Sequence, residues 1–273
     1  MSQALPSYEN IRMQRREREL TIALDRPERL NAFNARLHAE LPDALAFAAG
    51  DIESEAIVLT GSGRAFSAGG DLGWQQDAAD NPALFEATVR EAKQIVYGIL
   101  DCEKPIVARV NGPAVGLGAT LALLCDVIIA ADSAYFSDPH VNIGMVAGDG
   151  GAFIWPQLIG FARAKEYLFT GDRIPAAEAA RIGLINRHVP DAELDSAVQG
   201  FVDKLLAQPQ LALRYSKVTV NIALRSLATA IMDTGLGFES LTNVSPDHRE
   251  ALAAFREKRP PRFGRADERG PRA

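Results

Sequence analysis

The stretch that decides the fold is Ala56-Ile-Val-Leu-Thr-Gly-Ser-Gly-Arg-Ala-Phe-Ser-Ala-Gly-Gly-Asp-Leu72. Its first five residues form an apolar, β-branched run that predicts a strand. The turn Gly61-Ser-Gly63 and the pair Gly69 and Gly70 predict a tight bend, which another molecule can approach closely because glycine has no Cβ. Free N–H groups in such a bend suit an oxygen that gains negative charge. Taken alone, an ordinary strand-to-helix loop is the commoner explanation.

A second stretch, Lys104 to Asp126, repeats this design. It predicts an apolar strand over 105–110, a turn at Asn111-Gly-Pro113, and an apolar helix that begins near Gly116 and runs to about Leu124. The first N–H groups of a helix are unpaired and carry partial positive charge. Two such sites in one domain are able to hold a carbonyl oxygen between them.

Several sequence motifs, in this order along the chain, resemble those of one protein family. They are Arg26-Pro-Glu-Arg-Leu-Asn-Ala32, Phe66-Ser-Ala-Gly-Gly-Asp-Leu72, Asn111-Gly-Pro-Ala-Val-Gly-Leu-Gly118, Cys125-Asp126, and Gly171-Asp-Arg-Ile-Pro-Ala-Ala-Glu-Ala179. Together they make the chain similar to the crotonase superfamily, which includes the enoyl-CoA hydratases and isomerases, over roughly residues 8 to 260. The resemblance implies an α/β fold, a spiral of ββα units followed by a C-terminal helical region that trimerises the protein.

The organisation expected from this resemblance has three parts. A crotonase-like ββα spiral core occupies residues 1–200, a C-terminal helical region occupies 201–260, and a tail rich in Pro, Gly and charge, 261–273, is expected to be mobile. The expected assembly is a homotrimer or a dimer of trimers.

Composition excludes several other classes of protein. The 273 residues are 47% hydrophobic, which is ample for a core, and the formal net charge of −6 argues against nucleic acid as the main partner. Cys102 and Cys125 lack metal-ligand spacing and are expected to be buried free thiols in a reducing compartment. Neither a membrane span nor a secretion signal is predicted, so we expect a cytoplasmic protein without a membrane partner.

Local patterns predict most elements. A strand over 20–25 is expected to pair with the segment around 8–13, and Asn31 or Asn34 is expected to cap a helix in which Pro42 is a kink or break. After the strand at 56–60 come a helix over 81–100 and strands over 127–131 and 134–137. From Gly150 onward the chain is predicted to be helical, over 151–159, 162–170, 176–182, 192–207, 211–224, 226–238 and 246–257.

By resemblance, the backbone N–H groups of Ala68 and Leu117 form an oxyanion hole that polarises a thioester carbonyl. Hydratases of the family add water with two glutamates, whose positions here hold Thr120 and His140. A threonine hydroxyl is too weak an acid to replace a carboxylate as base near neutral pH. What the sequence offers instead is His140 in Asp138-Pro-His140, with Asp149 nine residues later.

Histidine titrates near neutral pH, and a nearby carboxylate fixes its tautomer, so His140 and Asp149 are the predicted acid–base pair. The arrangement resembles a branch of the superfamily whose members hydrolyse carbon–carbon bonds of β-diketones. Each residue also has a structural alternative, since Asp149 precedes a predicted helix that it is able to cap and His140 is compatible with a hydrogen-bonded core histidine. His38 lies on a predicted helix, and the sequence leaves open whether it faces the pocket.

The remaining predicted contacts to substrate come from the resemblance. They are Arg29, Leu30, Ala32, Gly69, Gly70, Asp71, Leu72, Gly116, Thr120 and Lys258. Asp71 lies where relatives touch the adenine end of CoA, and Lys258 matches a lysine that approaches CoA phosphates, with a solvated basic tail as the alternative. No metal is expected, because no His/Cys cluster has ligand spacing for zinc. No separate cofactor is expected either, because coenzyme A enters as part of the substrate.

Three hypotheses about function follow. The first is an acyl-CoA enzyme of the hydratase/isomerase type that stabilises an enolate and uses the His/Asp pair. The second is a hydrolase of β-diketones on the same fold. The third is a catalytically silent CoA-binding subunit, which the loss of both glutamates suggests.

Overall fold

The structure is a computed structural model that describes residues 4–264. The strands in this range are β1 (Ile11–Arg16), β2 (Glu19–Leu24), β3 (Ala56–Gly61), β4 (Ile106–Val110), β5 (Ala114–Val115), β6 (Val127–Ala131), β7 (Tyr135–Ser137), β8 (Ile174–Pro175) and β9 (Arg187–Val189). The α-helices are α1 (Ala35–Gly50), α2 (Leu72–Asp80), α3 (Pro82–Leu100), α4 (Leu117–Leu124), α5 (Gly151–Ile159), α6 (Phe161–Thr170), α7 (Ala176–Arg181), α8 (Leu194–Leu206), α9 (Gln210–Asn243) and α10 (Pro246–Arg256). Of the predicted tail 261–273, positions 265–273 lie outside the described residues.

The large sheet has the strand order β1-β2-β3-β4-β6-β9. β1 pairs with β2, which confirms the predicted pairing of these two segments, and the pair is antiparallel. The other neighbours are parallel. All six positions of β3 are buried, because helices cover both faces of the sheet at this strand. The β-branched run that opens the deciding stretch is therefore a central strand.

A small sheet, β5-β7-β8, lies beside the large one. β5 follows β4 and β7 follows β6, so each pair places its first strand in the large sheet and its second in the small sheet. Isolated parallel bridges between Ser67 and Ala114 and between Phe33 and Gly70 extend this second layer to the segments after β2 and β3. The predicted strand–strand–helix recurrence is confirmed, and so are the mixed α/β class and the C-terminal helical region.

Helices bury both faces of the large sheet. On one side α1 and α3 contribute Leu37, Leu41 and Ile95 to the main apolar cluster. On the other side Val198 and Val202 of α8 belong to a second cluster with residues of β3, β4 and β6. In residues 4–264 no helix combines the length and the apolarity needed to cross a membrane.

The sequence predicted that either Asn31 or Asn34 caps α1, and the structure shows which of the two does so. The Asn34 side chain accepts a hydrogen bond from the Leu37 N–H at 2.8 Å, so Asn34 is the N-cap. Asn31 instead donates its side-chain N–H to the Ser62 and Ala65 carbonyls, at 2.9 Å each, and so supports the first glycine bend. Pro42 was predicted to kink or break the helix, but α1 continues through it to residue 50.

Three other features of the secondary structure differ from the predictions. The segments 211–224 and 226–238 form the single helix α9, because neither glycine nor proline interrupts the chain between them and Ala228, Met232 and Leu236 continue one buried face. The separate helix α2 precedes α3 and has Asp71 as its N-cap. The predicted all-helical segment after residue 150 also contains the short strands β8 and β9.

Candidate functional site

A cavity opens between α1, α2, α3 and α9. Much of its wall is apolar, from residues such as Phe33, Trp74, Phe85, Met145 and Leu236. Four residues predicted from the sequence also line it, namely Gly70, Leu117, His140 and Asp149. An apolar chamber with a few converging polar groups is the usual form of a small-molecule site.

The two glycine bends meet at this cavity. The Val115 N–H donates to the Ser67 carbonyl at 2.9 Å, which ties the second bend to the first. Gly69 has φ +86° and Gly116 has φ +52°, values that L residues rarely adopt. A Cβ on Gly69 would lie 3.0 Å from the Val115 carbonyl oxygen, so glycine at this position also permits the close approach.

The prediction that Ala68 donates to a substrate oxygen is wrong in this structure, because its N–H donates to the Leu30 carbonyl at 2.9 Å. Gly70, two residues later, lines the cavity instead. The Phe33 N–H donates to the Gly69 carbonyl and the Asp71 N–H to the Phe33 carbonyl, both at 2.7 Å. This parallel bridge uses the groups on either side of Gly70 and leaves its own N–H without an acceptor among residues 4–264.

The second predicted donor, Leu117, keeps a free N–H. Leu117 is the first residue of α4, where an N–H has no intrahelical acceptor, and within the described part of the chain nothing else accepts from it. Two unpaired backbone donors from neighbouring bends therefore belong to the lining of one cavity. The Leu117 side chain is 6% exposed.

His140 begins a short 3-10 helix, His140–Ile143, directly after β7 and Pro139. Its Nδ1 donates to Asp138 Oδ1 at 2.5 Å, and its Nε2 lies 3.6 Å from Asp149 Oδ2. A Cβ on Gly116 would lie 3.6 Å from the imidazole Cε1, so His140 stands against the second glycine bend.

The charge of His140 follows from its surroundings. Burial by itself lowers the pKa of this imidazole, but the negative charges of Asp138 and Asp149 outweigh burial and raise the pKa to about 10. His140 is therefore an imidazolium at neutral pH; its Nδ1 donates to Asp138, and its Nε2 has no hydrogen-bond acceptor among the described residues. Burial raises the pKa of Asp149, while the charge of His140 opposes that increase.

Asp149 is not the cap of α5. The N-cap of that helix is Gly150, and no side chain of the described residues caps it. Gly150 has φ +123°, and a Cβ there would lie 2.7 Å from Thr120 Cγ2. The glycines around Asp149 thus let the loop fold over α4 and direct the carboxylate to the cavity.

The sequence reasoning missed Glu239, which enters the cavity from α9. The side chain is buried, and a Cβ on Gly148 would lie 2.7 Å from its Oε2. Burial, and next the charge of Asp149, raise the pKa of Glu239 well above its ordinary value. The available signal was periodicity, because Glu239 follows Met232 and Leu236 by seven and three residues and so shares their buried face.

The open question about His38 is settled by its position, since it lines the cavity and is 1% exposed. Its Nδ1 lies 2.6 Å from Glu91 Oε2 on α3. The imidazole also packs against Trp74, with ring centroids 5.1 Å apart.

Asp138, His140 and Asp149 place possible metal-ligand atoms within 4.8 Å of one another. A metal ion requires neutral imidazole, whereas the raised pKa of His140 favours the proton. The chemistry of this donor set therefore fits a proton better than a metal ion.

The family model described as "Enoyl-CoA hydratase/isomerase" matches residues 16–266. The chain belongs to the enoyl-CoA hydratase/isomerase family. It is 40% identical to a probable enoyl-CoA hydratase of Rhodobacter capsulatus over 258 residues, which cover 94% of this chain and 98% of the relative. The predicted resemblance to crotonases is confirmed.

Solved structures of the family superpose closely on this one. An enoyl-CoA hydratase/isomerase from Mycobacterium paratuberculosis has 39% identity and a TM-score of 0.86, with 89% of this chain and 97% of that chain covered. A β-diketone hydrolase from the cyanobacterium Anabaena, solved with (S)-3-oxocyclohexyl acetic acid bound, has 32% identity and a TM-score of 0.81, with coverage of 87% and 95%.

Several residues that were predicted to contact the substrate lie away from the cavity. Thr120 is fully buried and packs under Gly150. Arg29 is exposed, while Leu30 contributes the carbonyl that accepts from Ala68, and the Ala32 carbonyl accepts from the Arg26 guanidinium. None of these four predicted residues is among those that line the cavity.

Two other predicted contacts share a separate groove. Leu72 of α2 and Lys258, which follows α10, line a groove between these helices. Asp71, at the start of α2, accepts from the Gly73 N–H at 3.0 Å and pairs with Arg26 at 3.6 Å. The protein thus has a mostly apolar cavity that contains a few charged side chains, and a separate groove. Both are bordered by α2.

Proposed function

We propose that this enzyme acts on an acyl-CoA thioester and stabilises the enolate formed from it. The observation that carries the proposal is the pair of unpaired N–H groups, on Gly70 and Leu117, in the cavity that also holds His140. Backbone donors aimed at one developing oxyanion are each typically worth about 3–4 kcal/mol of barrier. Gly70 replaces Ala68 in the role that we predicted.

His140 and Asp149 act as the acid–base pair. The imidazolium of His140 donates a proton toward the substrate, and the buried Asp149 carboxylate, 3.6 Å away, is placed to take the proton back or to stabilise the charge. Asp138 fixes the ring through Nδ1. The groups transfer protons only, so the reaction needs no metal or redox cofactor, and coenzyme A enters with the substrate.

The groove between α2 and α10 supports a place for the nucleotide end of CoA. Leu72 and Lys258 both line it, and Arg256 adds a second cation. Cations at the edge of an apolar groove suit a phosphorylated ligand. The assembly that goes with this family is a homotrimer or a dimer of trimers, which exposed apolar side chains on α9 support.

A second candidate is a hydrolase that cleaves the carbon–carbon bond of a β-diketone. Glu239 favours it, because a buried carboxyl group beside His140 and Asp149 supplies an additional group for water and proton handling. The Anabaena hydrolase shows that a similar fold hosts such a reaction.

One experiment separates the candidates. The wild type is incubated with a series of enoyl-CoA esters from crotonyl-CoA to dodecenoyl-CoA, and turnover is measured as loss of the enoyl absorbance. In a separate assay it is incubated with cyclohexane-1,3-dione. His140→Gln is expected to lower turnover by about 100-fold or more. The matched control is His188→Gln, because His188 makes a similar pair with Asp132, at 2.5 Å, but in exposed positions.

Loss of CoA-ester turnover in His140→Gln and not in His188→Gln supports the first proposal. Cleavage of the dione without affinity for CoA esters assigns the hydrolase instead. Binding of CoA esters with no turnover of either substrate by the wild type contradicts both and leaves a silent subunit.

A further inference from the structure

The cavity is lined by a second histidine, His38, which pairs with Glu91 and which the proposed function does not yet use. The two histidines reach the cavity from different elements, because His38 lies on α1 and its partner Glu91 on α3, whereas His140 follows β7. Isomerisation of an enoyl thioester moves a proton from one carbon to another, and hydration adds a proton at one carbon and hydroxide at the other, so a second proton-transfer group in the cavity has a use. Thr120 is buried under Gly150 and does not serve as the second group.

The surroundings of His38 hold its ring in one orientation. Nδ1 donates to Glu91 Oε2 at 2.6 Å, and the ring packs edge-on against Phe33 and tilted against Trp74, with centroids 6.2 and 5.1 Å away. The imidazole is therefore fixed by one carboxylate and two aromatic rings. Such fixation is typical of a group that must present one atom accurately.

The second nitrogen of His38 is unused. Among residues 4–264 nothing makes a hydrogen bond to Nε2, although the residue is 1% exposed and lines the cavity. A histidine bound at Nδ1 by a carboxylate presents Nε2 as a proton acceptor.

His140 is poorly suited to accept a proton. It is flanked by Asp138 and Asp149 and already carries a proton on each nitrogen at neutral pH. His38 has only the single carboxylate of Glu91, which is placed to stabilise the imidazolium once it forms. The two pairs thus have different chemistry, His140 as donor and His38 as acceptor.

We propose that His38, oriented by Glu91, is the catalytic base for one step, which the His140–Asp149 pair does not perform: it removes the proton from the α-carbon of the thioester. The carbon–hydrogen bond breaks, the proton joins Nε2, and the electron pair moves to the carbonyl oxygen held by the N–H groups of Gly70 and Leu117. His38 becomes an imidazolium paired with Glu91 and later returns its proton. Glu91 does not touch the reacting atoms and is a positioning residue. The inference rests on the function proposed above.

Exchange of the α-protons of butyryl-CoA in D2O, followed by NMR, isolates this step because it needs only the base and the oxyanion donors. His38→Gln is expected to lower the exchange rate by about 100-fold or more. Glu91→Gln should lower it about tenfold while changing the affinity for butyryl-CoA less than twofold, a split that a purely structural role does not produce. His188→Gln is the matched control and should exchange like the wild type.

Exchange by His38→Gln within twofold of the wild-type rate overturns the assignment of the base. If His38→Gln does not fold, Glu91→Gln decides, because the Glu91 side chain is partly exposed and its unchanged exchange rate likewise contradicts the proposal. A wild type that turns over enoyl-CoA but does not exchange butyryl-CoA also overturns it. Failure of the wild type in every assay refutes the proposed function instead.

Discussion

At the scale of the residue, several groups of the cavity bind protons more tightly in the folded protein than in the unfolded chain. The folded state raises the pKa of His140 from 6.5 to about 10, and burial raises those of Asp149 and Glu239 as well. A group whose pKa is raised by folding stabilises the protein fully below its unfolded pKa and loses that contribution as the pH rises through the folded pKa. We therefore expect the free energy of unfolding to fall between about pH 6.5 and 10, by up to about 1.4 kcal/mol per pH unit for one proton.

Thermal or urea unfolding across this pH range measures the slope. The double variant His140→Gln/Asp149→Asn removes the imidazole and its partner carboxylate together and should flatten the slope, whereas His188→Gln should keep it. A double variant with the wild-type slope would mean that the bound proton belongs elsewhere.

The sequence predicted part of this site because the relevant residues are close along the chain. His140 and Asp149 are nine residues apart within recognisable sequence motifs, so the sequence alone predicts the pair. Glu239 enters ninety residues later on another helix, and nothing local indicates that α9 crosses the Gly148 loop. Ala68 was misassigned because the direction of one N–H depends on the bridge to Phe33, which no pattern of residue types specifies.

At the scale of the element, strand and helix positions were mostly predictable, since periodicity and turn residues are local. β6 was predicted with its observed bounds, and α5 likewise. The predictions were wrong where tertiary packing determines the structure. One case is Pro42, through which α1 continues. The other is α9, where a break between two helices was predicted although no glycine or proline lies at that point. The residues of β9 are exposed or half-buried, and only pairing with β6 makes them a strand.

The loop before α5 allows an element-scale prediction. Gly150→Ala places a methyl group at φ +123° and 2.7 Å from Thr120 Cγ2, which should push the loop and Asp149 away from His140. The control Gly160→Ala has a similar left-handed φ, +79°, but meets nothing within 4 Å. Both variants should lose stability from backbone strain, and Gly150→Ala should lose about 1–3 kcal/mol more from overpacking.

Unfolding and turnover measured on the same samples separate the two effects. We expect Gly150→Ala to lose activity and Gly160→Ala to keep it. Equal loss of stability and equal activity in both variants would show that Thr120 does not constrain the loop.

At the scale of the whole molecule, one face of α9 lacks a partner within the described chain. Leu211, Tyr215, Val218 and Ile222 recur at four-, three- and four-residue intervals, so they share a face, and all four are exposed. A monomer rarely leaves so many large apolar side chains in one row, which marks an interaction surface. The trimer expected from the family gives this face an occupant, namely further copies of the same chain.

Tyr215→Glu/Ile222→Glu tests whether this face holds copies of the chain together. Two carboxylates in an apolar interface cost more than association returns, so the double variant should sediment as single chains while the wild type sediments as three or six. The control Gln14→Glu/Ala39→Glu adds the same charge at exposed positions on β1 and α1 and should assemble like the wild type. Since the N–H groups and imidazoles of the cavity all come from residues 38–149 of one chain, we expect the isolated chains to retain measurable α-proton exchange. Assembly of the α9 variant at the wild-type mass would exclude this face from the interface, and complete loss of exchange in folded single chains would mean that a neighbouring copy completes the site.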